Sequence, residues 1–359
     1  MRKTIAFFLG TYEDWGGASR ALLNFVRGID GGRYRPLVVL TRTGNLSAQL
    51  TEEGIDWLIW EKHDRSKNLV GYALNIMRAY RMLKQQKVDL IHINFGSIGW
   101  KPAEILAARL AGVPLINHLH ITDPNPSSYI RYSNAVVAVS NYVATHTNTI
   151  GAPTHSIHNV SYLARFSHGQ DIRDQLGYTD KNVLVVYMGQ MIRAKGLEIL
   201  IEAFKQVPNE EARLLMAGGI RQSEGAYTEA EVEELVSRDP RIRYLGFRTD
   251  AENLYHTADI MTMPSQWEEP CAMILFEAAA AGRPLIATAT GGTPEILRHG
   301  KTGFLVDRSD VQGLTHYMRQ LIDDPVLRQQ LGEQAALVAR QEYAQGPIKK
   351  MEKLYDSLL

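Results

Sequence analysis

Two acids, Glu269 and Glu277, stand in the stretch WEEPCAMILFEAAAAGRPLIATATGGTPEI, which runs over residues 267–296. Pro270 suits the first position of a helix. Residues 271–281 continue as strong helix formers, and Gly282 ends them. Glu277 is the odd residue in that run. Its neighbours at helical spacing are Met273, Ile274, Ala280 and Ala281, so it lies on no polar stripe. An acid on such a face must be paired, must meet a ligand's hydroxyls, or must escape to solvent; buried alone it costs on the order of several kcal/mol. After Gly282, residues 283–288 read as a short buried parallel strand. Gly291 and Gly292 turn the chain, and residues 293–295 open another helix with a proline and an acid in its first turn. A loop, helix, strand, turn and helix in this order place two helix N-termini at one sheet edge, where anionic ligands bind in open α/β folds.

A second group that could do chemistry is the loop GQMIRAKG at residues 189–196, between a buried strand at 183–188 and a helix at 197–206. Basic side chains there, Arg193 and Lys195, make a diphosphate site that needs no metal. A third is polar and lies near strand ends. His118 and His120 alternate onto one face of a strand at 113–120, and His92 and Asn94 occupy a neighbouring strand at 88–94. No Cys, Asp or Glu completes a metal-ligand set with them at useful spacing. Gly16 and Gly17 precede a helix at 20–28, so a ligand can approach the amides at its start, although a plain strand-to-helix turn explains the pair equally well. Cys271 is the sole cysteine, which suits packing and a reducing compartment and excludes an internal disulfide.

These groups need elements to carry them. The 359 residues allow two domains, and 45% hydrophobic with 22% charged residues is the composition of a globular protein. Net charge is zero but uneven: residues 1–170 hold 18 Lys and Arg against 11 Asp and Glu, leaving 21 against 28 for the rest. A basic and an acidic half support two domains, and the basic half suits an anionic acceptor or a membrane surface. The start MRKTIAFFLG imitates a signal segment, but its apolar part is short and no small-residue cleavage site follows, so a first buried strand at 5–9 is the better reading. No apolar run approaches the ~18 residues that span a bilayer. Residues 68–87 form a basic amphipathic helix, suited to a membrane surface or, more ordinarily, to packing on its own sheet. Residues 167–174, polar with one glycine, read as a linker. Residues 300–306 read as a hairpin-like turn into a last strand.

Glu269 and Glu277, followed by AAAAGRPLIATATGGTPEIL, resemble the glutamate-pair signature of family-4 retaining glycosyltransferases. The resemblance spans almost the whole chain and is strongest over residues 183–310. It implies an α/β protein of the GT-B fold: two doubly wound, Rossmann-like domains facing a central cleft. Residues 1–166 would be the acceptor-side domain, with a C-terminal helix at 347–359 crossing back onto it, and residues 167–346 the nucleotide-sugar domain. It also implies roles. Glu277 would hold the donor's ribose hydroxyls, and Glu269, with the amides of Cys271, Ala272 and Met273, the sugar hydroxyls and phosphate. Lys195 would neutralise the leaving diphosphate. The family's arginine position is Gln190 here, and Arg193 is the residue to compensate. Gly246 and Phe247 would present backbone groups to the nucleobase. His120 would face the donor sugar, with Asn94 on the neighbouring strand, and Gly16 and Gly17 would face donor and acceptor.

The function so implied is transfer of a sugar from a UDP- or GDP-sugar to a hydroxyl of a glycan, glycolipid or small molecule, with retention and without cofactor or metal. No Asp-x-Asp triplet, the mark of a metal-bridged donor, occurs in the chain. The expected setting is bacterial polysaccharide or glycoconjugate synthesis, in the cytoplasm or peripherally at the inner membrane face, with no nucleic-acid partner. Alternatives stay open: a sugar-nucleotide epimerase of the same fold, or a non-catalytic subunit that binds donor and transfers nothing. A nicotinamide enzyme would need Gly-x-Gly-x-x-Gly after the first strand, and that loop lacks it.

Overall fold

The structure, a computed structural model, describes residues 2–9, 17–60, 68–95, 102–159, 163–220 and 223–359. It divides into two compact units, residues 1–160 with 345–359, and residues 161–344.

In the first unit the strands are β1 (Lys3–Leu9), β2 (Tyr34–Leu40), β3 (Asp56–Ile59), β4 (Leu90–Phe95), β5 (Leu115–Leu119), β6 (Ala135–Ala138) and β7 (Thr154–Ser156). They form one parallel sheet in the order β3-β2-β1-β4-β5-β6-β7. Ile5–Leu9 and Leu37–Leu40 are unbroken buried runs, as a sheet covered on both faces requires. Helix Leu69–Gln85 starts where Asn68 accepts the Gly71 amide at 2.7 Å, and Ser140 likewise caps Asn141–Thr145. Gly112, left-handed at φ 67°, ends helix Ala103–Ala111. The last helix, Gly346–Leu358, joins this unit's core through Ile348, Met351, Leu354 and Tyr355. Asp356 accepts a 2.6 Å bond from the Tyr34 hydroxyl, and Glu352 accepts the Asp30 amide at 2.7 Å.

The second unit holds β8 (Val183–Met188), β9 (Ala212–Ala217), β10 (Ile242–Tyr244), β11 (Ile260–Met263), β12 (Leu285–Thr288) and β13 (Gly303–Val306), all parallel, in the order β10-β9-β8-β11-β12-β13. This order reverses direction between β8 and β11, the arrangement of a nucleotide-binding sheet.

The structure revises three readings. Residues 167–174 are no linker: the Gln170 amide bonds Asn253 at 2.9 Å and the Ile172 amide bonds Thr257 at 2.9 Å, which seats the segment on helix Ala251–Thr257. Helix Leu163–Phe166, placed before the boundary in the sequence, belongs to the second unit, where Phe166 meets Tyr255 edge-on at 5.2 Å. The boundary therefore falls at 160/161. The turn at 300–302 makes no hairpin, because β13 pairs in parallel with β12.

Candidate active site

The carboxyl ends of β8 and β11 put two loops side by side at the switch point of the second sheet. Residues 189–196 follow β8, and residues 264–272 follow β11. They are joined where the Gln266 amide bonds the Ala194 carbonyl at 2.7 Å. Gly196, at φ 73°, lets them approach this closely, since a Cβ there would lie 2.0 Å from the Pro264 carbonyl oxygen. The junction brings Lys195 to Glu269.

The Lys195 Nζ lies 2.5 Å from Glu269 Oε1, and the same oxygen accepts the Trp267 Nε1–H at 2.8 Å and the Ser265 hydroxyl. The ammonium also rests over the Trp267 ring, 5.1 Å from its centre. The Glu269 side chain is 4% exposed and that of Lys195 20%. The carboxylate is thus held in place by three donors, while the lysine side chain stays partly exposed. The loop is fixed from behind. The Glu269 carbonyl accepts the Gly292 amide at 2.8 Å, and Glu268 accepts the Gly291 amide at 2.5 Å. Gly291 sits at φ 52° with its missing Cβ 2.1 Å from the Glu269 carbonyl oxygen, so no other residue fits without displacing the loop. Glu268, which sequence reasoning gave no role, is a structural acid paired with Arg308.

The helix after this loop is Met273–Ala280, not 271–281, and Pro270 lies outside it. Glu268 and Glu269 are bonded to the 291–292 turn, the chain bends at Pro270 and Cys271, and Ala272, extended and without a side-chain cap, is the N-cap. Cys271 is buried, and Cys271, Ala272 and Met273 form the lead into this helix. Glu277 is 4% exposed and accepts a 2.7 Å hydrogen bond from the Tyr255 hydroxyl on its Oε2. The acid on the apolar face is therefore paired. Tyr255 was missed in the sequence because it lies in a different helix, and no local spacing connects the two.

On the other side of β8, Gly246 is left-handed at φ 71°, and its carbonyl accepts the Gly218 amide at 2.9 Å. Phe247 follows with its ring exposed, close to Gly219. These residues end β10 and β9 and border the β8 loop, where the Gly189 amide bonds the Ala217 carbonyl at 3.0 Å.

Arg193 has partners outside the Lys195–Glu269 cluster. Its guanidinium ion-pairs with Glu231 at 2.5 Å, donates to the Ala226 carbonyl at 3.2 Å and lies over the Tyr227 ring at 4.5 Å. Gln190, beside it in the loop, is exposed.

In the first unit, register pairs Asn94 with His118, and the four polar residues share one face. His120 Nε2 lies 2.8 Å from Asn94 Oδ1, and Asn94 Nδ2 donates to the Ala18 carbonyl at 3.1 Å. Because the Asn94 amide nitrogen is committed to a carbonyl, its oxygen must accept from His120, which fixes the Nε2–H tautomer and leaves Nδ1 as an acceptor. Behind it, the His118 ring lies tilted with its centre 4.5 Å away, His118 Nδ1 lies 3.1 Å from His92 Nε2, and His92 Nδ1 lies 2.7 Å from the Tyr355 hydroxyl. Burial lowers all three imidazoles, His120 to about 4, His92 to about 3 and His118 well below its usual value, so the row is neutral. Among the described residues, no group of three His, Cys, Asp or Glu is arranged to hold a metal ion. Gly17 opens helix Gly17–Gly28, and Gly16 lies outside the described residues.

Two families cover the chain in succession. The one described as Glycosyltransferase Family 4 matches residues 15–161, and the one described as Glycosyl transferases group 1 matches residues 169–338. The chain is a family-4 glycosyltransferase of the GT-B fold. This glycosyltransferase is 24% identical over 296 residues to the N-acetyl-alpha-D-glucosaminyl L-malate synthase of Bacillus anthracis, covering 77% of this chain and 76% of that one. It is 26% identical over 339 residues to the D-inositol 3-phosphate glycosyltransferase of Mycobacterium marinum, covering 86% and 69%. Its fold is that of a glycosyltransferase from Rickettsia africae, with a TM-score of 0.87, 20% identity and coverage of 100% and 99%. Anabaena Alr3699/HepE in complex with UDP follows at a TM-score of 0.82, 24% identity and full coverage of both chains.

Proposed function

We propose that the chain transfers a glycosyl group from a nucleotide-diphosphate sugar to an acceptor hydroxyl, with retention of configuration and without a metal. The observation that carries this reading is the Lys195–Glu269 pair at the β8/β11 switch point, a partly exposed lysine side chain beside a fixed, almost buried carboxylate. Lys195 opposes the charge that develops on the leaving diphosphate, the step where an oriented cation contributes most. Glu269 accepts hydrogen bonds from sugar hydroxyls, and the amides of Cys271, Ala272 and Met273 meet the phosphate. Glu277, oriented by Tyr255, receives the ribose diol. The backbone at Gly246 and Phe247 meets the base. On the acceptor-side unit, His120 offers its Nδ1 to a sugar hydroxyl, with Asn94 setting its tautomer.

The acceptor is a glycan, glycolipid or small molecule. L-malate and D-inositol 3-phosphate, in the names of the relatives, are both anionic, and the basic first half suits such a partner. The reading also places the enzyme in the cytoplasm, in contact with the membrane. On helix Leu69–Gln85, Val70, Leu74 and Met77 are 72%, 51% and 45% exposed, and Arg81 and Lys84 continue their stripe. Failure to cosediment with anionic vesicles would remove the membrane part alone, and cosedimentation unaffected by Leu74→Glu would move the contact off this helix.

A thermal-shift screen of UDP-, GDP- and ADP-sugars tests the reading, followed by product analysis with the best donor. Stabilisation by a donor together with a new glycoside supports it. A shift with no product against malate, inositol phosphate and lipid-linked acceptors would support a non-catalytic donor-binding subunit instead.

A further inference from the structure

The β8 loop reaches Lys195 through a turn that is tied down on its far side. Residues Arg193–Lys195 form one 3-10 turn, closed by the Lys195 amide on the Ile192 carbonyl at 3.0 Å and the Gly196 amide on the Arg193 carbonyl at 3.0 Å. Its first half pairs with residues 225–227. The Arg193 amide bonds the Gly225 carbonyl at 2.8 Å, the Tyr227 amide bonds the Met191 carbonyl at 3.0 Å, and Ile192 and Ala226 form an antiparallel bridge. The side chains repeat the connection. Arg193 lies over Tyr227, whose hydroxyl donates to Glu198 at 3.3 Å in the next helix.

Glu231 closes the arrangement. One carboxylate oxygen takes Arg193, and the other takes the amide of Thr228 at 2.7 Å and its hydroxyl at 2.9 Å, so a single acid caps helix Glu229–Ser237 and holds the guanidinium. Its own pKa falls to about 2, chiefly through the Thr228 amide and then Arg193, which keeps it charged throughout the neutral range.

Resting on the donor reading above, we infer that Arg193 is a positioning residue: with Glu231 and Tyr227 it anchors the turn that presents Lys195 to the diphosphate, and it does not touch the phosphate itself. Among the described residues its side-chain partners, the Glu231 carboxylate, the Ala226 carbonyl and the Tyr227 ring, all belong to the 225–231 segment. An exposed ion pair adds little to global stability. Its consequence is local, because Lys195 stands two residues away at the end of the same short turn, where a small displacement alters the fit to a ligand. Glu231 and Tyr227 thereby become determinants of donor binding without facing the donor.

The test uses Arg193→Ala and Glu231→Gln; the glutamine keeps an acceptor for the helix cap but loses the charge. Lysines are 13C-dimethylated, the Lys195 resonance is assigned by its loss in Lys195→Arg, and UDP affinity is measured by calorimetry. In both variants the Lys195 resonance moves toward those of exposed lysines, and UDP binding weakens on the order of tenfold. In a Lys195→Ala background, Arg193→Ala adds no further loss. The inference is overturned if the resonance stays in place in both variants. It is equally overturned if Glu231→Gln tightens UDP binding while Arg193→Ala weakens it, since a released arginine would then be acting as a phosphate ligand. Should the unsubstituted protein bind none of UDP, GDP and ADP, the donor reading fails, and the ligand-free resonance still decides for or against the anchor.

Discussion

Glu277 and Tyr255 set the terms at the scale of single residues. The acid could be found in the sequence because its type conflicts with its apolar neighbours, and such a conflict requires a partner. That partner lies 22 residues earlier in another helix, so only the fold reveals it. Glu277→Gln keeps the shape and can still accept the Tyr255 hydroxyl, but it loses the charge that strengthens hydrogen bonds to a diol. Such bonds contribute ~1.5–3 kcal/mol each, so calorimetry should register at least a tenfold weaker UDP complex with an unchanged circular dichroism spectrum. Unchanged affinity would leave Glu277 as a packing residue bonded to Tyr255.

The histidine row was partly legible in the same way. Alternation placed His118 and His120 on one face beside His92 and Asn94, and the structure joins all four. Tyr355, from the far end of the chain, was not legible. Because burial depresses these imidazoles, the unfolded chain binds more protons than the folded one below pH ~6.5. The stability they allow is complete above that value and is lost as pH falls toward about 4 for His120 and about 3 for His92. Melting temperature should therefore drop steeply between pH 6.5 and 4. His118→Phe, which removes one such group, should flatten the slope; an equal slope would assign acid lability to other groups.

Elements were legible wherever their signals are local. The helix read at 68–87 spans Leu69–Gln85 with Asn68 as its cap, and Gly112 and Ser140 end and cap helices as their residue types favour. Departures occur where distant contacts override the local signal. Pro270 stays out of the helix because Glu268 and Glu269 are held by the 291–292 turn, and residues 167–174 look like a linker until Asn253 and Thr257 take their amides. The capping box of Thr228 and Glu231 makes a prediction at this scale. A carboxylate depressed to about 2 contributes stability that is complete above pH ~4.5 and fades as pH falls through 2. Because the group is exposed and screened, Glu231→Gln should melt only slightly below the parent protein at pH 5, and the two should converge near pH 2. A gap that persists undiminished at pH 2 would mean that the Glu231 charge is not the source.

For the whole molecule, two runs of alternating strand and helix signals announced two parallel sheets, and the strand orders place a switch point in each. The second sheet was the more legible, because the segments that follow β8 and β11 carry Lys195, Glu269 and Glu277 within residues that resemble one family's signature. The Gly16 loop of the first unit lies outside the described residues. The central claim is a metal-free, retaining transfer from a nucleotide-diphosphate sugar, and the most direct measurement is proton NMR of the glycoside formed from the best donor in excess chelator. The account predicts turnover under these conditions and an anomeric coupling that matches the donor's configuration. An inverted product, or turnover that returns only when magnesium or manganese is added, would contradict it.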